Sequence, residues 1–284
     1  MTPTPTPTPT PTATPAAARR GALAPAPATE HRRGGALARM IVSEARLLVR
    51  DPAAAFFSLG FPVVLLTVLG LVMPWADDPF SDQDPLLAQI TAITGYTPIV
   101  LSLAIATIGL SSFPVTVATY RQRGVLRRLS TTPVGPARLL VAQVLVNLAA
   151  LVVAAALALV SAVVVLDIEL PRQPWTVALA FLLAVLSVFG LGALIAARAA
   201  TTGAANGLGM TAYFVSLFFA GVWLPLPIMP EAVQTVATYL PLGAATQAMT
   251  DAWVGAPFPT QQMVVMALWA AVATPVAVRI FRWS

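Results

Sequence analysis

Six uncharged apolar runs divide this chain, and the charged segments between them alternate in sign. The runs cover roughly residues 56–75, 97–119, 139–166, 175–197, 206–224 and 261–280. About 20 consecutive apolar residues cross the hydrocarbon core of a bilayer, so each run is long enough to do so. All 16 basic residues are Arg: seven between Arg19 and Arg50, five between Arg121 and Arg138, then Arg198, Arg279 and Arg282, which leaves only Arg172 in the intervening segments. Those intervening segments carry Asp77, Asp78, Asp82, Asp84, Asp167, Glu169, Glu231 and Asp251. An excess of Arg marks the cytoplasmic loops of a membrane protein. The sequence therefore predicts an all-α, polytopic protein of the cell membrane. It has six transmembrane helices, both termini in the cytoplasm, and the 76–96 and 167–174 loops outside.

Hydrophobic residues make up 58% of the chain and charged residues 10%, against roughly 25% charged in a soluble domain. The isoelectric point near 10.7 does not imply nucleic acid, because the Arg residues sit in short segments flanking apolar runs. Cys is absent, which excludes disulfides and thiolate metal sites.

Residues 1–36 read as a disordered cytoplasmic tail. A Thr-Pro alternation over 2–12 removes backbone donors and favours extended polyproline conformation. The tail has no apolar stretch after a basic start, so it does not read as a secretory signal. The rest, 37–284, reads as one six-helix transmembrane domain. Within it, 37–50 has the period of an amphipathic helix at the cytoplasmic membrane surface. Arg39, Ser43, Arg46 and Arg50 form one stripe, and Leu37, Ile41, Ala45 and Leu48 lie opposite. Glu44 breaks the pattern on the apolar side. It either reaches back to water or meets another cytoplasmic element. Asp51 followed by Pro52 is a helix start: an N-cap, then Pro at the first helical position.

The segment 225–260 is too apolar for an ordinary loop. Pro225, Pro227, Pro230, Pro241, Pro257 and Pro259 interrupt it too often for one straight span. Short re-entrant helices between spans five and six fit, provided protein covers their broken backbone.

What is missing narrows the chemistry. A nucleotide-binding P-loop needs a Lys, and this chain has none. The single His, His31, lies in the tail, so a Ser-His protease or a His-ligated metal site is unavailable. No catalytic, cofactor-binding or metal-ligating residues are expected, and the chain does not read as an enzyme. No ionisable residue lies inside any run, which weighs against proton-coupled transport and points to an energy source on a partner. Ser112, Thr116 and Thr119 share one face of the second run, and Gln143 and Asn147 one face of the third. They serve helix–helix hydrogen bonding or line a pathway. Ser111 and Ser112 read as helix-packing residues.

The segment between the second and third runs is Tyr120, Arg121, Gln122, Arg123, Gly124, Val125, Leu126, Arg127, Arg128, Leu129, Ser130, Thr131, Thr132, Pro133 and Val134. It resembles the Arg-Gly-x-Leu-x-x-Leu…Thr-Pro segment of type-2 ABC transporter permeases, including drug exporters of actinobacteria. A second stretch, Gly221, Pro225, Met229, Pro230 and Pro241, is similar to the re-entrant pattern of that family. The resemblance covers about 37–284. It departs from the family where acidic residues are frequent, at Tyr120 and Gln122, and at a late charged pair whose places hold Gln247 and Thr250.

The resemblance implies a permease subunit of an ATP-driven exporter. Such a subunit pairs with a second permease chain, as homodimer or heterodimer, and works with ATP-binding subunits that hold ATP and Mg. Its cargo would be a hydrophobic or amphiphilic compound: a drug, an antibiotic or a lipid-like molecule. Export of polysaccharide or another cell-envelope component is the rival within the family, and a non-transporting membrane scaffold the rival outside it. Membrane lipid is an expected partner and nucleic acid is not. In the family a short cytoplasmic helix docks into a cleft of the ATP-binding subunit. That role would fall here to Arg121, Arg123, Gly124, Val125, Leu126, Arg127, Arg128, Leu129 and Pro133.

Overall fold

The computed structural model describes residues 33–131 and 135–281. It is 81% helix, with no strand among the described residues. Ten helices organise it: α1 (Arg33–Arg50), α2 (Pro52–Val72), α3 (Ala92–Gln122), α4 (Val125–Ser130), α5 (Pro136–Leu166), α6 (Pro174–Arg198), α7 (Thr202–Phe219), α8 (Glu231–Tyr239), α9 (Pro241–Val254) and α10 (Thr260–Ile280). Most of the tail assigned to 1–36 lies outside the described residues, as do Thr132, Pro133, Val134 and Arg282.

Five helices are long and apolar enough to cross a membrane: α2, α3, α5, α6 and α10. They match five of the six expected runs, with ends shifted by a few residues. The remaining run, 206–224, forms α7, which is not among those five. Gly203, Asn206, Gly207 and Gly209 dilute its apolar content, and the chain turns away at Gly221 before the run ends.

Local chemistry sets the helix boundaries. The Asp51 carboxylate accepts from the Ala54 N–H at 3.0 Å, capping α2 as the Asp51–Pro52 pair predicts. Thr201 caps α7 by accepting from Ala204 N–H at 3.1 Å. α1 begins at Arg33, four positions before its expected start of 37, and keeps the predicted faces. Arg39, Ser43, Arg46 and Arg50 are exposed, while Leu37, Ile41, Ala45 and Leu48 are partly covered.

The 31-residue α3 is the most buried of the long helices. It carries Pro98 and a π turn at Thr107–Ser112; α2 carries another at Phe56–Gly60. Close helix contact is made at glycines. A Cβ on Gly192 of α6 or on Gly209 of α7 would run into the α3 carbonyls of Gly109 and Leu110. Small residues let helix backbones approach closely where lipid tails give no hydrophobic drive.

At the acidic end the loops are folded. The 76–91 segment folds back on itself, with Phe80 N–H donating to Ile90 O at 3.0 Å and Phe80, Leu87 and Ile90 buried. Arg172, the exception to the charge pattern, donates to Val254 O at 3.1 Å, and its own backbone N–H donates to Trp253 O at 3.1 Å. A cation at a helix C-terminus satisfies leftover carbonyls and meets the negative end of the helix dipole. Arg172 is thus placed by the end of α9. Between α7 and α10 the chain forms a 3-10 turn at Leu226–Ile228 and the two short helices α8 and α9. The prolines divide it as expected: Pro225 precedes the turn, Pro230 precedes α8 and Pro241 opens α9.

Candidate functional site

The segment expected to couple to a partner starts where α3 ends. Gly124 adopts φ +69°, a left-handed conformation that residues with a Cβ rarely take, and the chain re-enters a helix as α4. After this break α4 packs against α3 and α5. Leu126 is then fully buried in the central core of this chain, and Val125 and Leu129 pack against the same core. Leu126, expected to contact a partner, is thus covered by this chain itself. An apolar side chain on a six-residue helix at the end of a bundle is covered first by the nearest apolar surface, which is its own.

Arg121 is also directed inward. Its guanidinium donates to Ala199 O at 3.0 Å and to Ala196 O, at the C-terminus of α6. Its Cζ stands 5.1 Å from the centre of the Phe281 ring. Of the residues expected to couple to a partner, Arg123, Arg127 and Arg128 are exposed. Pro133 lies outside the described residues.

Next to this segment is a polar cavity of about 170 Å³ enclosed by α1, α2, α3 and α5. All four residues singled out as pathway or packing positions line it. Ser112 and Thr116 come from α3 and Gln143 and Asn147 from α5, each pair spaced by one helical turn. Glu44, Asp51, Ser58 and Tyr120 complete the polar wall. Among the described residues, no hydrogen bond from Ser112, Thr116, Gln143 or Asn147 to another helix is seen. Thr116 donates to Ser112 O, and Thr119, on the same helix, to Val115 O. Gln143 is 8% exposed, and its Oε1 is buried without a hydrogen-bond partner among the described residues.

Glu44 is the feature that sequence reasoning could only mark as out of place. It is 8% exposed, and the Tyr120 hydroxyl donates to its carboxylate, 3.0 and 2.9 Å from the two oxygens. The alternative in which it meets another element is therefore the one the fold adopts. Burial pushes its carboxyl above the ordinary range, and the Tyr120 hydrogen bond pulls it partly back. The signal that could have found the pair was an acid on an apolar helix face together with a Tyr where relatives of the motif are frequently acidic.

A second cavity, of about 460 Å³, lies at the acidic end between the 80–87 loop, α3, α8, α9 and α10. Gln247 and Thr250, the two departures from the late charged pair, both line it. Gln247 accepts from Thr238 at 2.9 Å, linking α9 to α8. Asp251, Asp84 and Glu231 give the cavity its charge. Burial, then the neighbouring Asp84, raises the Asp251 carboxyl to about 6. Gly221, Pro225, Pro230 and Pro241 shape the backbone beside it without presenting side-chain chemistry.

A family model for ABC-2 type transporters matches residues 36–253, from α1 almost to the end of α9. The chain belongs to the ABC-2 type transporter family. No curated protein matches it. The chain is thus a multi-pass transmembrane permease of a type-2 ABC transporter, a transport component rather than a nucleotide-binding domain. The match includes the α3–α4 break, every residue lining the smaller cavity and all but Gln262 of those lining the larger one.

Proposed function

We propose that this chain is the permease subunit of an ATP-driven exporter that moves a hydrophobic or amphiphilic compound out of the cell. The observation that carries the reading is the ABC-2 type family match on a chain without any Lys, so ATP must be hydrolysed elsewhere. ATP and Mg belong on a separate ATP-binding subunit. Two permease chains pair to enclose the path. In this reading α7 is a sixth span and α1 rests at the cytoplasmic surface of the plasma membrane. α8 and α9 are re-entrant, and both termini are cytoplasmic. The Arg distribution supports that orientation. The exposed Arg123, Arg127 and Arg128 support a contact with the ATP-binding subunit around α4. ATP-driven closure of the partner shifts α3 and α5, which couples a nucleotide site on one chain to a path on another.

The test is reconstitution of the full chain with its ATP-binding subunit in proteoliposomes. ATP-dependent movement of an amphiphilic dye, with ATPase activity that requires this chain, is expected. An ATPase indifferent to this chain, with no ATP-dependent flux, overturns the reading and favours a scaffold. Flux of glycan without dye flux moves the cargo to a cell-envelope component.

A further inference from the structure

We propose that the 170 Å³ cavity bounded by α1, α2, α3 and α5 binds a protonated alkylamine, with Glu44 as counter-ion and Gln143 as second acceptor. The inference rests on the permease reading, which gives an amphiphile reason to reach this end of the bundle.

Four observations carry it. First, the cavity is lined by two carboxylates and by amide and hydroxyl groups, and no cationic side chain is among its lining residues. Second, Glu44 is buried but only partly satisfied. A carboxylate has about four lone-pair sites, and the Tyr120 hydroxyl supplies a single proton. Third, Gln143 Oε1 is buried with no partner among the described residues. Buried acceptors are nearly always hydrogen-bonded, so this one, on a residue that lines the cavity, lacks a donor. Fourth, both flanking helices carry a π turn at the cavity, Phe56–Gly60 with Ser58 and Thr107–Ser112 with Ser112. Such turns recur at functional sites.

An ammonium group matches this demand. It brings three donors and no acceptor, and it neutralises a carboxylate that the fold has desolvated. An anion would face Glu44 and Asp51. The volume holds about five or six waters at ~30 Å³ each, enough for a headgroup and the first methylenes but not a whole drug. Ile108, Phe113 and Val146 supply apolar wall for the stem. The same headgroup chemistry comes from a soluble amphiphilic amine or from an aminophospholipid.

The experiment titrates the full-length chain in phosphatidylcholine nanodiscs with n-decylammonium, against 1-decanol as the uncharged control, and reads the unfolding midpoint. Decylammonium is expected to raise the midpoint saturably and decanol to leave it. Glu44→Gln should weaken the apparent affinity about ten- to a hundredfold. Gln143→Leu, which replaces the open acceptor with an apolar side chain, should weaken it several-fold and stands in where Glu44→Gln does not fold. Equal affinity in wild type and Gln143→Leu, or an equal response to decanol, overturns the proposal. Repeating the titration with phosphatidylethanolamine in the disc separates the sources. A curve moved to higher concentration assigns the site to the lipid headgroup, and an unmoved curve to the soluble amine. Transport that persists when amine binding is absent sinks this site but not the permease. Amine binding without any ATP-dependent flux leaves the site and sinks the permease reading.

Discussion

Tyr120 and Glu44, 76 positions apart, are joined by one phenol hydroxyl lying 3.0 and 2.9 Å from the two carboxylate oxygens. The bond fastens the surface helix α1 to the last turn of α3, just before the chain breaks at Gly124. It therefore ties the amphipathic helix to the segment proposed to meet the ATP-binding subunit.

Replacing Tyr120 by Phe keeps the ring and removes the donor. A hydrogen bond to a charged group contributes about 1.5–3 kcal/mol, and its loss should fall on α1 more than on the bundle. Hydrogen exchange should quicken along Met40–Leu48 with α5 unchanged. Equal protection of α1 in both proteins counts against this role.

Leu126 and its neighbouring Arg residues should behave oppositely. Leu126→Asp buries an unpaired carboxylate and should destabilise the bundle by at least ~3 kcal/mol, read as a lower unfolding midpoint of the permease alone. Arg127→Glu with Arg128→Glu should leave that midpoint in place. It should weaken binding of the ATP-binding subunit at low salt, with the difference shrinking as salt rises.

Gly124 tests the break itself. A Cβ there meets nothing within 4 Å, so substitution is opposed by backbone conformation alone. Gly124→Val should cost ~1–2 kcal/mol and reduce partner-stimulated ATPase, while Gly124→Asn, which tolerates the left-handed region, should retain most of it. Similar losses in both variants would point to a need for space.

Orientation is open to labelling on a chain without Cys. Asp82 and Ser130 are both exposed at opposite ends of the bundle. Asp82→Cys should react with an impermeant thiol reagent in intact cells, and Ser130→Cys only after permeabilisation. The reverse pattern inverts the topology.

Asp251 gives a pH dependence of definite sign. Its carboxyl is raised from 3.8 to about 6, so the folded chain holds the proton more tightly than the unfolded chain. The ionised form therefore costs stability above pH 6, and that cost is relieved as pH falls through 6 toward 3.8. The full effect is no more than about 3 kcal/mol. Asp251→Asn should flatten the unfolding midpoint between pH 7.5 and 5, where wild type gains. A wild-type midpoint that falls over this range contradicts the sign.

The long helices were legible because a run of about 20 apolar residues has few other uses. α7 was legible as a run but not as a helix end, since hydropathy continues through Val222 to Leu224 after Gly221 has turned the backbone. Spacing by four placed Ser112 with Thr116 and Gln143 with Asn147. It could not say that the two faces enclose a cavity, because periodicity fixes which residues share a face and not what the face meets. Leu126 shows the same limit: the pattern marked an apolar side of α4, and only the turn at Gly124 directed it into this chain. The π turns left no trace in composition. Glu44 was visible as an anomaly but its partner was not, as nothing local links position 44 to position 120.

Arg121 has a mechanical consequence. Its guanidinium grips two carbonyls at the end of α6 and faces the ring of Phe281, just past α10, while its own backbone closes α3. Three helix ends are thereby pinned at one point, one turn from the exposed face of α4. A load placed on α4 would therefore be shared by three helix ends rather than carried by α3 alone.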